Sequence, residues 1–148
     1  MIDLRKVKWK KRYKKDKIIF VDPTIILDRL ERDTGGNGFS MRDHKGGTRS
    51  NQIGDRTDRS KEWIKNNYDN PRAIFEPSIV GIYHFRRGDG GHISFGDGRH
   101  RILAAEELGI PEVGIEVPRH QEKDFEYMKV NRLQEKMITK FIDFENNI

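Results

Sequence analysis

The spacing of apolar and polar positions changes several times along the chain, and each change predicts an element. In "KIIFVDPTIILDRL", Ile18 to Val21 form a continuous apolar run of strand length. Ile26, Leu27 and Leu30 then recur at helical spacing. Asp22 followed by Pro23 fits a helix start, because a carboxylate accepts an orphan N–H and proline at the first helical position loses no hydrogen bond. "DRSKEWIKNNYDNP" predicts a second helix, with Asp58 near its start, Trp63 and Ile64 facing inward and Pro71 closing it. Ile79 to Phe85 and His92 to Phe95 read as the strands of a hairpin, with "GDGG" (Gly88 to Gly91) as its turn. Arg101 to Leu108 reads as a helix with Ile102, Ala105 and Leu108 on one face, ended by Gly109. "PEVGIEV" alternates as a strand, with Val113, Ile115 and Val117 on one face. From Gln121 onward a long helical region carries Phe125, Met128, Leu133, Met137 and Phe141 as its apolar stripe. Strands interleaved with helices define an α/β class.

Between the first two helices the pattern disappears. Thr34 to Asp58, "TGGNGFSMRDHKGGTRSNQIGDRTD", has no apolar period and is rich in Gly, Asn, Asp and Arg. It is expected to be a long polar loop. A loop of that length in a small domain serves a function or lacks order. In the first case it could fold over a ligand and offer Arg49, Ser50 or Arg56 to phosphate groups.

Composition narrows the classes. The chain has 148 residues, 34% hydrophobic and 36% charged, which suits one domain with a modest core. It has no cysteine, which excludes disulfides, thiolate zinc sites and cysteine nucleophiles. No apolar run reaches membrane-span length and no signal-peptide core is present, so an intracellular, cytoplasmic protein without a membrane partner is expected. The five histidines show no metal-ligand spacing. His44 reads as a loop residue, and His84 and His92 as residues on strand faces.

Charge is distributed unevenly. The chain carries +5 overall, but residues 1–17 alone hold nine Lys and Arg against Asp3 and Asp16, a net +7, leaving the remainder at −2. These residues are expected to form a basic N-terminal arm, with the domain proper at 18–148. Lys8, Lys10, Lys11, Arg12, Lys14 and Lys15 could contact DNA or RNA phosphates, with Trp9 and Tyr13 available for stacking. A solubilising tail, or an edge strand guarded by lysines, would have the same composition.

The densest chemistry lies in "SFGDGRHRILAAEELG". A strand runs through a Gly-Asp-Gly turn into a helix. Gly96 and Gly98 let backbone N–H groups approach a ligand, and the helix start adds a partial positive charge. Arg99 can take phosphate oxygens in a bidentate fork, and His100 and Arg101 add donors. Asp97 could orient an arginine, accept from a ribose or base, or take a proton from a hydroxyl. The plainer alternative is a surface turn in which Asp97 caps the helix and the arginines pair with Glu106 or Glu107. Neither a Walker loop nor a dinucleotide fingerprint is present.

"HISFGDGRHRILAAEELGIPEVGIEV", followed by "VNRLQE" at Val130 to Glu135 and preceded by "IFEPSIVGIYHF", resembles the ParB-like/sulfiredoxin-like superfamily. The first stretch is similar to the strand, charged turn, helix and strand of that family. The second is similar to the "DNRLAE" element of ParB-like domains from phage and DNA-modification proteins. The resemblance covers about Phe75 to Met137. It implies a small single-domain fold with a mixed sheet flanked by helices and a pocket for CTP, ATP or ADP. It also implies phosphate binding by Gly96, Gly98, Arg99, His100 and Arg101, with Asn131 near the phosphates or a magnesium ion. The sulfiredoxin turn carries a catalytic cysteine, which this chain lacks. The ParB turn has Glu where this chain has Asp97 and Gly98, and Val130 replaces the leading Asp of "DNRLAE".

Three functions follow as expectations. The first is nucleotide binding with hydrolysis or phosphoryl transfer, in which Asp97 or His100 acts as the base and magnesium assists. The second is a DNA- or RNA-binding or nuclease module that uses the same pocket and the basic arm. The third is a non-catalytic interaction protein, such as a phage-encoded inhibitor. Oligomeric state is not legible.

Overall fold

The computed structural model describes residues 2–34, 50–83 and 92–127. Along the chain these form β1 (Lys8–Trp9), β2 (Lys17–Val21), α1 (Pro23–Thr34), α2 (Ser50–Asn67), β3 (Ile74–Phe75), β4 (Ser78–Tyr83), β5 (His92–Asp97), α3 (Arg99–Glu107) and β6 (Val113–Val117). A 3-10 turn at Arg119–Gln121 leads into helical residues 122–127. The predicted stripe at Met128, Leu133, Met137 and Phe141, the "GDGG" turn, His44, His84, Arg49 and Asn131 lie outside the described residues.

Four strands form a mixed sheet in the order β2-β6-β4-β5. β2 pairs antiparallel with β6, β6 parallel with β4, and β4 antiparallel with β5. β1 and β3 form a separate two-stranded parallel ladder. The protein is thus a small α/β fold. α1 packs on β5 and α3, and α2 packs on α3.

Local chemistry explains most boundaries. Asp22 accepts the N–H of Thr24 at 2.9 Å, and Pro23 opens α1, as the sequence predicts. Ile26, Leu27 and Leu30 are buried, each contributing roughly 1.5–3 kcal/mol through apolar area removed from water. α3 ends where Leu108 and Gly109 return their N–H groups to Ala104 and Glu106, Gly109 taking φ +69°. In α3, Ile102, Leu103, Ala104 and Ala105 are all buried and Leu108 only partly. The helix is therefore covered on more than the one predicted face, with α1 and α2 both against it.

Two expectations about α2 are corrected. Residues 50–58 are not loop: α2 begins at Ser50, eight residues before the predicted start. That stretch has no apolar period of its own, and packing supplies what propensity does not. Thr57 is fully buried, and its Oγ1 lies 3.5 Å from His100 Nδ1 of α3. Trp63 does not face inward with Ile64. It is 43% exposed, whereas Ile64 is buried.

β6 is buried at all five positions, not on one face alone. Val113, Ile115 and Val117 join the core with Ile26, Leu27, Ile102 and Leu103. Gly114 and Glu116 lie on the opposite face, and the N-terminal segment covers them. The Trp9 ring sits where a Cβ on Gly114 would come within 3.0 Å of it. Its indole N–H donates to the Leu4 carbonyl at 2.7 Å, and its ring meets Phe20 and Phe75. Leu4 is 1% exposed. Residues 2–16 thus form part of the packed body, and Trp9 is a packing residue.

Farther along β4 the side chain of Gln121 takes the place of a neighbouring strand. Its amide oxygen accepts the Ile82 N–H at 2.8 Å, and its amide nitrogen donates to the Ile82 carbonyl at 2.7 Å. Both backbone groups of Ile82 are thereby paired.

Candidate functional site

The charged turn joins β5 to α3. β5 carries an irregularity opposite Ile79 and Val80: Asp97 pairs with Ile79, and Phe95 with Val80, leaving Gly96 between them. A Cβ on Gly96 would meet Ile79 Cγ2 at 3.0 Å. Gly98 adopts φ +90° and ψ 23° as the residue that starts α3, with no side-chain cap. A Cβ there would lie 2.6 Å from Ser78 Oγ and 2.9 Å from Ser78 Cα. Both conformation and space therefore require glycine. The Ser78 hydroxyl donates to the Gly98 carbonyl at 2.8 Å, and the same oxygen receives the N–H groups of Arg101 and Ile102 at 3.1 and 3.4 Å.

Asp97 does not cap the helix. Its Oδ2 is shared by two guanidinium groups, Arg12 Nη2 at 2.9 Å and Arg101 Nη2 at 3.8 Å. Arg101 is further held by the Glu76 carboxylate at 3.4 Å and by the carbonyls of Glu76 and Pro77 at 3.4 and 3.3 Å. Lys61 pairs with Glu107 at 2.8 Å. Arg99 is exposed and engages no other described side chain. His100 is half-buried against Thr57 of α2. The structure therefore gathers Gly96, Asp97, Gly98 and Arg101 at one turn, adds Arg12 from the N-terminal segment, and places the His100 ring at the α2–α3 contact.

Arg12 reaches the turn because its backbone is anchored. Glu116 on β6 is fully buried, and its two oxygens accept the N–H groups of Arg12 and Tyr13 at 2.6 and 3.1 Å. Two backbone donors compensate part of the cost of burying a carboxylate. Burial, followed by a hydrogen bond to Glu116, pushes the Asp16 carboxyl above its ordinary value, while Lys11 nearby opposes the shift. Lys11 Nζ also donates to the carbonyls of Lys14 and Asp16 at 3.2 and 2.8 Å, curling the segment on itself. The Asp97 carboxylate raises the pKa of the Arg12 guanidinium. Lys8, Lys10, Lys11, Arg12, Lys14 and Lys15 are all exposed on this anchored segment.

A cavity of about 300 Å³ opens beside the turn. Ser78 and Arg101 belong to both. The other walls come from the N-terminal segment (Leu4, Trp9), from α2 (Ser60, Trp63) and from β3 (Ile74, Phe75). No motif signals this cavity, because its rings are scattered over residues 9–75 and only tertiary packing brings them together.

Magnesium prefers oxygen ligands, and the two carboxylates near the turn, Asp97 and Glu76, are both paired with guanidinium groups. Among the described residues no three or more His, Asp or Glu side chains converge as a metal cluster. No helix among the described residues is long and apolar enough to cross a membrane.

Fold and site define an α/β protein with a glycine turn between a strand end and a helix start, surrounded by arginines. No protein-family model, curated protein or solved structure matches this chain.

Proposed function

We propose that the β5–α3 turn binds a phosphate group and that the protein is a nucleotide-binding protein, with CTP, ATP or ADP as the ligand class. The observation that carries this reading is the assembly of Arg12, Arg99 and Arg101 around a turn whose glycine has no room for a side chain. Two carboxylates there, Asp97 and Glu76, are set against three guanidinium groups, which leaves a net positive charge for an anion. Arginine forks suit phosphate oxygens, and a helix start adds donors. Asp97 acts in this reading as a positioning residue that holds Arg12 and Arg101 in place. Hydrolysis or phosphoryl transfer is the reaction class such an arrangement serves, since that chemistry needs mainly positioning and charge neutralisation.

Calorimetry with CTP, ATP, ADP and GTP, with and without magnesium, tests the reading beside Arg99→Ala. Saturable binding that weakens at least about tenfold in the variant is expected, since one charge-assisted fork contributes about 1.5–3 kcal/mol. A folded protein that binds none of the four overturns it.

The exposed cations of residues 8–15, fixed next to the same turn, favour nucleic-acid binding as a second reading. It predicts affinity that falls steeply with salt, with a shallower slope once Lys8, Lys10, Lys14 and Lys15 are changed to Gln.

A further inference from the structure

We propose that the cavity beside the turn receives an unstacked nucleobase whose phosphate lies at Gly96–Arg101. This inference rests on the phosphate reading of the turn and extends it to the other half of the ligand. Three aromatic rings wall the cavity. Trp63 and Phe75 lie 4.6 Å apart at 72°, and Trp9 and Phe75 5.4 Å apart at 53°. At the rim Trp63 is 43% and Ile74 52% exposed, so a large apolar edge stands in water next to an open space. A planar ring laid on Trp63 covers that edge. The polar wall residues include Ser78 and Arg101, the same two side chains that contact Gly98 and Asp97 of the turn. A ligand with a flat apolar part joined to a phosphate spans both without a gap.

The wall chemistry selects among occupants. Aromatic rings beside a carboxylate can hold a cation. Here the Arg101 guanidinium lines the same cavity and holds Glu76 at 3.4 Å, so a cation would face a cation. An aliphatic chain would lie against the Ser60 hydroxyl and the Glu76 carboxylate. A nucleobase stacks on indole and has polar edges for hydroxyls. Two sources carry that chemistry: a free nucleotide, or a base of a single strand whose phosphates continue along Lys8 to Lys15. A duplex presents no unstacked base.

Trp9 and Trp63 are the two tryptophans of the chain, so intrinsic fluorescence reports on the cavity. The probes are CTP and ATP, the nucleosides cytidine and adenosine, sodium tripolyphosphate, and a short homo-oligonucleotide as single strand and as duplex. The expected result is quenching by the nucleotides and binding about tenfold or more tighter than tripolyphosphate. Trp63→Ala loses that advantage and keeps tripolyphosphate binding, and Trp63→Phe retains most of the advantage. A single strand that binds more tightly than nucleotide and duplex identifies a strand as the source, and the reverse order identifies free nucleotide. Either order upholds the base site. Tripolyphosphate binding as tight as nucleotide, with Trp63→Ala unchanged, overturns the base site and leaves the turn. Nucleoside quenching without any tripolyphosphate binding upholds the base site and overturns the turn. No binding of any probe overturns both.

Discussion

Two carboxylates hold residues 12–16 to the sheet by different means. Glu116 is fully buried and is met by backbone N–H groups at 2.6 and 3.1 Å. Asp97 stands at the surface, its side chain 41% exposed, and is met by two arginine side chains. Backbone donors on a buried acceptor fix the path of the chain. Flexible guanidinium groups on an exposed acceptor can exchange it for another anion at little cost. One carboxylate sets where the segment lies, and the other leaves its cations available. The difference separates a buried anchor from an exposed ion pair within a single short segment.

The contrast breaks first at Glu116. Glu116→Gln keeps the shape but sets an amide N–H₂ against one of the two backbone donors. It is expected to cost about 2–3 kcal/mol, a melting temperature lower by roughly 4–12 °C in a thermal scan. Asp97→Asn in the same scan is expected to shift the midpoint by no more than about 2 °C while altering anion binding. Equal effects would erase the distinction. Gly98→Ala comes next. It forces a side chain into the left-handed region and against Ser78, at about 1–3 kcal/mol in chemical denaturation. A smaller, pH-dependent effect than that of Gly98→Ala is expected at Asp16. Its pKa in the folded protein is raised above the ordinary 3.8. The corresponding contribution to stability is fully present below that value and is lost as pH rises through the raised one. Asp16→Asn stays neutral throughout. Its melting temperature is expected to match the natural chain in acid and to exceed it by about 1–3 °C at neutral pH.

Much of the fold was legible because local chemistry determines it. The apolar run at Ile18 to Val21, the Asp22–Pro23 start, the stripe of Ile26, Leu27 and Leu30 and the Gly109 stop each rest on residues adjacent in sequence. The early start of α2 was not legible, because Thr57 is buried by α3 and not by any period of its own. Alternation in "VGIEV" assigned Glu116 to an open face, and only the docked N-terminal segment closes that face. At the site, the turn with Gly96, Gly98 and Arg101 could be read directly. Arg12 could not be placed there, since 85 residues separate it from Asp97 and no local pattern records such a contact. The cavity was hidden for the same reason. Trp9 reads as an exposed stacking residue among lysines, yet it packs on Gly114.

The grip of Glu116 on Arg12 also has a consequence for how the protein is made. The two residues are 104 apart in the chain. At a synthesis rate of about 5–20 residues per second, the N-terminal segment waits roughly 5–20 s before its anchor exists. For that interval Leu4 and Trp9 have no sheet to cover, and the surrounding lysines keep the waiting segment soluble by mutual repulsion and hydration. The cations that stand beside the β5–α3 turn in the folded protein are the same ones that flank Leu4 and Trp9 in the nascent chain.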